Sequence, residues 1–464
     1  MARRFILAVA AVPVAFASAL AQATDPGPGR PAAAPRVDYA LTNVRIVTAP
    51  GKVIEKGTVL THDGRIVAVG ANVTIPANAV RMDLAGHSVY AGLIDAATSV
   101  GLPSPTRAVP ATADATGGAG GGGGGRGGNA PQPGRGAVLG RPSAPLPPVV
   151  LPELDADAEA ADMFAPTDDQ LKAFRTAGVT TVGLVFDGGL FPGRIGAALT
   201  GSDGSRLSLR SSVGQEVAFG TKRGGYPGTG IGAVAFIRQA YLDAQYEARM
   251  EKAFKAGTPG ARPPNDPFSR TLMAAATNTM PSWFVASTER QIIRVAEIAT
   301  ELDIKNPVVV GSQEGWRAIP YLKKSGATAL VSLRFPSPDS VTGREFLAVG
   351  SGKSGVAPPS TAADTAEVRG NAAALVKAGI PVAFASFGSE SSTFRDRIRM
   401  AVAAGMSSDD ALRAATVTPA ALLGITSAVG TIEVGKLANL VVVNGNDPFA
   451  ATPIKHVFVE GRLY

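Results

Sequence analysis

The sequence predicts an α/β protein with a β/α barrel in the middle of the chain and β structure at both ends. Three observations carry this. From about residue 165 to about residue 415, strand-like apolar runs alternate with helical patterns, which argues for a parallel sheet with helical crossovers. That span suits an eight-fold (β/α)8 barrel of the TIM type, with an open doubly wound sheet as the alternative. The flanking segments carry short β runs instead, and 464 residues with 45% apolar content are enough for one large domain and a smaller one.

The start reads as a secretory signal over residues 1–23. Arg3 and Arg4 form a basic head, Phe5 to Phe16 an apolar stretch, and Ala19-Leu20-Ala21 or Ala21-Gln22-Ala23 a cleavage site. The apolar run is short of the ~20 residues a bilayer needs, and no later run is longer. The expectation is a periplasmic or secreted protein with no transmembrane segment after signal removal. Residues 24–36, rich in Pro, Gly and Ala, read as a linker. Without cysteine the chain has no disulfide signature. Its net charge of +7 is spread along the chain, with no basic block to bind nucleic acid.

Val59-Leu60-Thr61 and Ile66-Val67-Ala68-Val69 flank His62-Asp63-Gly64-Arg65, and Asp-Gly between apolar runs predicts a hairpin. Residues 101–152 are dominated by Gly, Pro and Ala and lack the apolar surface to fold alone. They read as a surface insert or as a mobile cover over the barrel mouth. Val179 to Phe186 predicts a buried strand. Val234, Ile237, Tyr241, Ala244 and Ala248 recur at helical spacing. Trp283 to Ala286, Val308 to Val310, Ala329 to Leu333 and Pro381 to Phe384 continue the strands. Helices are predicted after Ala286, past Trp316, around Ala372 to Val376, and over Phe394 to Ala404 and Asp409 to Ala415; Ser407-x-x-Asp410 has the form of a capping box. Leu440 to Val443 and Val457 to Val459 return to β.

Several motifs in order resemble the amidohydrolase superfamily, in its imidazolonepropionase-like and dipeptidase-like branch. They are Leu41 to Val47, Asp63 to Gly70 and Gly92-Leu93-Ile94-Asp95 near the start. Near the end they are Ala411 to Thr416, Thr418-Pro419-Ala420, Leu423-Gly424, Gly430 to Lys436 and Asn439 to Val443. The resemblance implies a barrel over 91–423 beside a small β-sandwich built from residues 37–90 and 424–464. It also implies a hydrolase acting on carbon–nitrogen bonds through zinc or another divalent metal, with a His-x-His pair on the first barrel strand, histidines on strands five and six, and an aspartate on strand eight. Residues two apart on a strand face the same way, which brings such a pair to one metal.

This chain departs from that pattern. The first-strand positions are Ala97 and Ser99, the strand-five and strand-six positions fall near Val285 and Val310, and Phe387 follows Ser386 where the family has aspartate. The strand-four position, often a modified lysine, falls near Glu216, with Lys222 the nearest lysine. The three histidines, His62, His87 and His456, map to the small β domain. The sequence therefore predicts no metal cofactor.

Asp95 and Ser99 are the remaining catalytic candidates, with Asp95 expected to share a strand face with Ala97 and Ser99. Ser386 and Ser389 have no histidine placed to activate them. Glu314, Glu390 and Asp187 read as surface or capping groups, and Asp155 and Asp157 as solvated. The reading is an exported pseudoenzyme. It would bind a small molecule at Ala97, Ser99, Val285, Val310 and Phe387, or act as a partner subunit to an active relative or in a homo-oligomer. The alternative is a hydrolase of amides, cyclic amides or peptides.

Overall fold

The structure is a computed structural model, and it describes residues 36–103, 154–201, 208–220, 227–263, 265–335 and 362–464. The signal segment, nearly all of the 24–36 linker, most of the 101–152 insert and Lys222 lie outside the described residues.

The small domain joins both ends of the chain in one sheet. Its first part comprises β1 (Tyr39–Ala49), β2 (Lys52–His62), β3 (Arg65–Gly70), β4 (Val80–Asp83) and β5 (His87–Ala91). The predicted hairpin is β2–β3, turned by Asp63 and Gly64 at φ 44° and 76°, the left-handed pair that such two-residue turns require. The barrel begins with β6 (Leu93–Thr98), β7 (Val179–Leu184), β8 (Arg194–Leu199) and β9 (Ser208–Ala218). It continues with β10 (Ser282–Ala286), β11 (Val308–Gly311), β12 (Thr328–Ser332) and β13 (Val382–Ala385). From the C-terminal end, β14 (Leu440–Asn444), β15 (Ile454–Val459) and β16 (Arg462–Leu463) return to the small sheet. That sheet runs β16-β15-β14-β5-β1-β2-β3, with β4 beside β1. The strands are thus hydrogen-bonded into one connected sheet around a core of Leu41, Ile46, Val89, Leu440 and Phe458, not into two separate sheets.

Strands β6 to β13 form the second sheet in sequence order, a nearly closed eight-stranded barrel. Its departure from a regular β/α alternation is β8, which is antiparallel to both β7 and β9. The link 185–193 is shorter than the dozen or so residues a parallel crossover needs, and Gly188, Gly189 and Gly193 supply left-handed φ values that let it double back.

Helices cover the outside. The first are α1 (Ala160–Met163), α2 (Asp168–Thr176), α3 (Gly230–Lys255), α4 (Pro267–Ala276) and α5 (Glu289–Glu301). Then follow α6 (Ile319–Ser325), α7 (Ala362–Lys377), α8 (Phe394–Ala403), α9 (Ser408–Ala415) and α10 (Val417–Leu422). Reciprocal capping boxes start α2 at Thr167/Gln170 and α5 at Thr288/Gln291. Ser407 caps α9 by accepting from Asp410 N–H, but the Asp410 carboxylate accepts the Ser407 hydroxyl instead of reaching back to the backbone. The predicted face of α3 buries Ile237, Tyr241 and Ala244 against the barrel. Among the described residues, no helix is long and apolar enough to cross a membrane.

Candidate functional site

Alternation along each barrel strand sends one set of side chains outward under the helices and the other into the barrel. The outward set includes Phe284, Val309, Val331 and Phe384. The inward set includes Ile94, Trp283, Val285, Val308, Val310, Leu330, Ala383 and Ala385. Gly214 permits this packing, since a Cβ there would lie 2.4 Å from the Trp283 ring.

Four of the five sequence-named pocket positions meet in that inward cluster. Ala97, Val285, Val310 and Phe387 pack in one apolar group, each at most 7% exposed. Ser99, just past the end of β6, is half-buried and outside the cluster. Phe387 is pinned on both sides: its N–H donates to Ala97 O at 3.1 Å, and its carbonyl accepts the Ser332 hydroxyl at 2.8 Å.

Asp95 does not share a face with Ala97 and Ser99 by simple alternation. The pairing of β6 with β7 slips between Asp95 and Thr98, so β6 carries an extra residue there and both Ala96 and Ala97 enter the inward cluster. Gly183 on β7 accommodates the bulge, because a Cβ on it would lie 2.1 Å from Ala96 O. The Asp95 carboxylate is fully buried. Its Oδ1 accepts from Ser386 N–H at 2.8 Å and Ala97 N–H at 3.3 Å, while Oδ2 has no partner among the described residues. Burial pushes this carboxyl up to about 7, against the opposing pull of hydrogen bonds from Ser386 and Ala97.

Sequence reasoning places Glu216 only as the strand-four position without a lysine. The structure makes it a second fully buried carboxyl, with Oε2 accepting from Phe186 N–H at 2.8 Å and Oε1 unpartnered. Burial pushes it well above the usual carboxylate range, the Phe186 N–H opposes this, and the charge of Asp187 adds to it. The available signal was a Gln-Glu pair inside an otherwise apolar strand end.

The other candidates lie elsewhere. Glu314 accepts from Glu289 N–H at 2.7 Å and so holds the first turn of α5. Glu390, Asp187, Asp155 and Asp157 are exposed. The Ser389 hydroxyl donates to Ser386 O. His62, His87 and His456 sit on β2, β5 and β15 of the small sheet, with His62 bonded to Asp38 at 2.8 Å. A catalytic zinc site needs about three nitrogen, sulfur or carboxylate ligands converging on one point. Among the described residues, no group of three or more His, Cys, Asp or Glu side chains is placed to hold a metal ion. The side chains of Ala97, Val285, Val310 and Phe387 carry no metal-donor atom.

Residues 346–464 match the sequence model of the amidohydrolase family. The C-terminal quarter of the chain thus resembles the amidohydrolase family in sequence. The fold agrees. A Thermotoga maritima amidohydrolase superposes with a TM-score of 0.67 at 20% identity, over 92% of this chain and 99% of that one. A Xaa-Pro dipeptidase with methionine bound in its active site superposes at 0.52 and 14% identity, over the same shares. No curated protein matches the chain in sequence. Within this barrel, Ala97, Val285, Val310 and Phe387 bring together methyl, isopropyl and phenyl groups.

Proposed function

We propose that this amidohydrolase-superfamily protein is exported and does not run the superfamily's metal chemistry, serving instead as a binding protein or as a partner subunit to an active relative. The observation that carries this is the convergence of Ala97, Val285, Val310 and Phe387 in one apolar cluster inside the barrel. An imidazole or carboxylate at these positions would offer lone pairs to a cation, whereas the side chains present offer none. The basic, then apolar, then small-residue start supports export. The deciding experiment is elemental analysis of the purified full chain, expressed with and without added zinc, manganese and iron. Substoichiometric metal in every preparation is expected. One tightly held equivalent per chain overturns the proposal.

A second reading has its own support. Asp95 and Glu216 are two buried carboxyls, each with an unpartnered oxygen, and each held in the proton-binding direction by burial. Groups of this kind suit acid–base work near neutral pH. Under this reading the chain hydrolyses amides, cyclic amides or peptides without metal. Turnover that survives chelation and disappears in Asp95→Asn is expected. Absence of turnover across those three substrate classes ends it.

A further inference from the structure

A groove of about 560 Å³ lies outside the barrel, where α2, α8 and β15 meet. It is distinct from the barrel interior, since none of the inward-cluster residues line it. We propose that this groove is a binding site for a small organic anion, with a carboxylate or phosphate head and an apolar body. The inference holds under either reading of the barrel.

Charge is the first argument. Lys172 and Arg175 reach the groove from α2, Arg395 from the first turn of α8 and Lys455 from β15, against one acidic side chain among the described lining residues, Asp396. Asp396 is itself engaged with Arg399 at 2.9 Å. The field in the groove is therefore positive, and α8 adds to it by presenting its N-terminal turn without a side-chain cap.

Arg395 is the second argument. It is 7% exposed, with Nε donating to Pro448 O at 2.6 Å and Nη1 to Thr452 O at 2.7 Å, while Nη2 has no partner among the described residues. A guanidinium carries five N–H donors in a planar fork. Here carbonyls fix one edge of the fork and leave a buried cationic nitrogen for something else. Asp396 and Asp447 act on it through their charge, but no carboxylate among the described residues forms an ion pair with it. A buried cation without a direct ion pair is costly, and an anion bound in the groove would add to the charge that faces it.

Shape is the third argument. The floor is apolar at Pro453, Ile454 and Val457, and the Tyr464 ring closes one side with the Arg175 guanidinium 4.2 Å from its centroid. The volume falls in the range of small-molecule pockets. A bare inorganic ion would leave the apolar floor bare, which is why the ligand is an organic anion.

The test is calorimetric titration of the full chain at low salt with benzoate, phenyl phosphate, inorganic phosphate and benzyl alcohol. Saturable binding of benzoate or phenyl phosphate is expected, tighter than that of inorganic phosphate, and it identifies the head group. Benzyl alcohol, which lacks the charge, is expected not to bind. Lys172→Glu with Lys455→Glu changes two exposed side chains and is expected to weaken binding by about ten-fold or more with no change in the unfolding midpoint. The proposal is overturned if neither aromatic anion saturates, if benzyl alcohol binds equally, or if the folded double variant keeps full affinity.

Discussion

Oδ1 of Asp95 accepts the backbone N–H of Ser386 at 2.8 Å, joining the first barrel strand to the end of the last across 291 residues of sequence. The hydrogen-bonded ladder of the barrel runs from β6 round to β13 and does not close between those two strands. This side-chain bond, with Phe387 N–H on Ala97 O, fastens the gap.

A pH dependence follows. The folded-state value for Asp95 is raised from 3.8 to about 7 by burial, so between those values the folded chain holds a proton that the unfolded chain releases. The associated stability is fully present below the unfolded value and is lost as pH rises through the folded one. Asp95→Asn removes this titration. The stability of the variant minus that of the wild type should therefore increase steadily from pH 4 to pH 8, by an amount on the order of a few kcal/mol. Urea unfolding at a series of pH values measures it, and a flat difference contradicts the assignment.

Phe387 packs in the inward cluster at 2% exposure. Phe387→Ala should cost about 3–5 kcal/mol through the cavity it leaves. Ala97→His, a substitution at the position where the resemblance implies a ligand, should also destabilise, by about 1–3 kcal/mol, because the site is already packed. Equilibrium denaturation reports both. A stabilised Ala97→His would show that the barrel centre has spare room.

Gly183 faces the β6 bulge with no space for a side chain. Gly183→Ala sets a methyl against the Ala96 carbonyl, a backbone atom with little freedom to retreat. A loss of about 1–3 kcal/mol or more is expected, seen as a lower midpoint of thermal unfolding. An unchanged midpoint would argue against the bulge.

Arg395 ties α8 to the segment between β14 and β15 through Pro448 O and Thr452 O. Arg395→Met keeps much of the side-chain volume and removes both bonds. The expected cost is about 1–3 kcal/mol, with faster amide hydrogen exchange over residues 447–453.

The outer layout of the fold was legible because its signals are local. The Asp63-Gly64 turn, the 3-4-3-4 spacing in α3 and the apolar runs of β10 to β13 each lie within a few residues. Ala97, Val285, Val310 and Phe387 were named from the resemblance, and they share one buried cluster. The partner of Asp95 was not, because the register slip in β6 and the approach of Ser386 depend on how the barrel closes. Glu216 was hidden for a related reason: its burial comes from Phe186 and from neighbouring strands, and no pattern within β9 encodes that. The reversal at β8 rests on short glycine-bearing links, which sequence alternation passes over when it looks for helices.

That reversal bears on how the barrel assembles. A parallel pair must first close a loop long enough to hold a helix, and the entropy of closure is spent before any strand contact repays it. Strands β7, β8 and β9 escape this requirement among themselves, since β7 pairs with β8 and β8 with β9 through short links. They form a meander of low contact order inside an architecture whose other pairings are remote. The meander is therefore the segment expected to be ordered earliest, presenting two ready edges on which β6 and β10 condense.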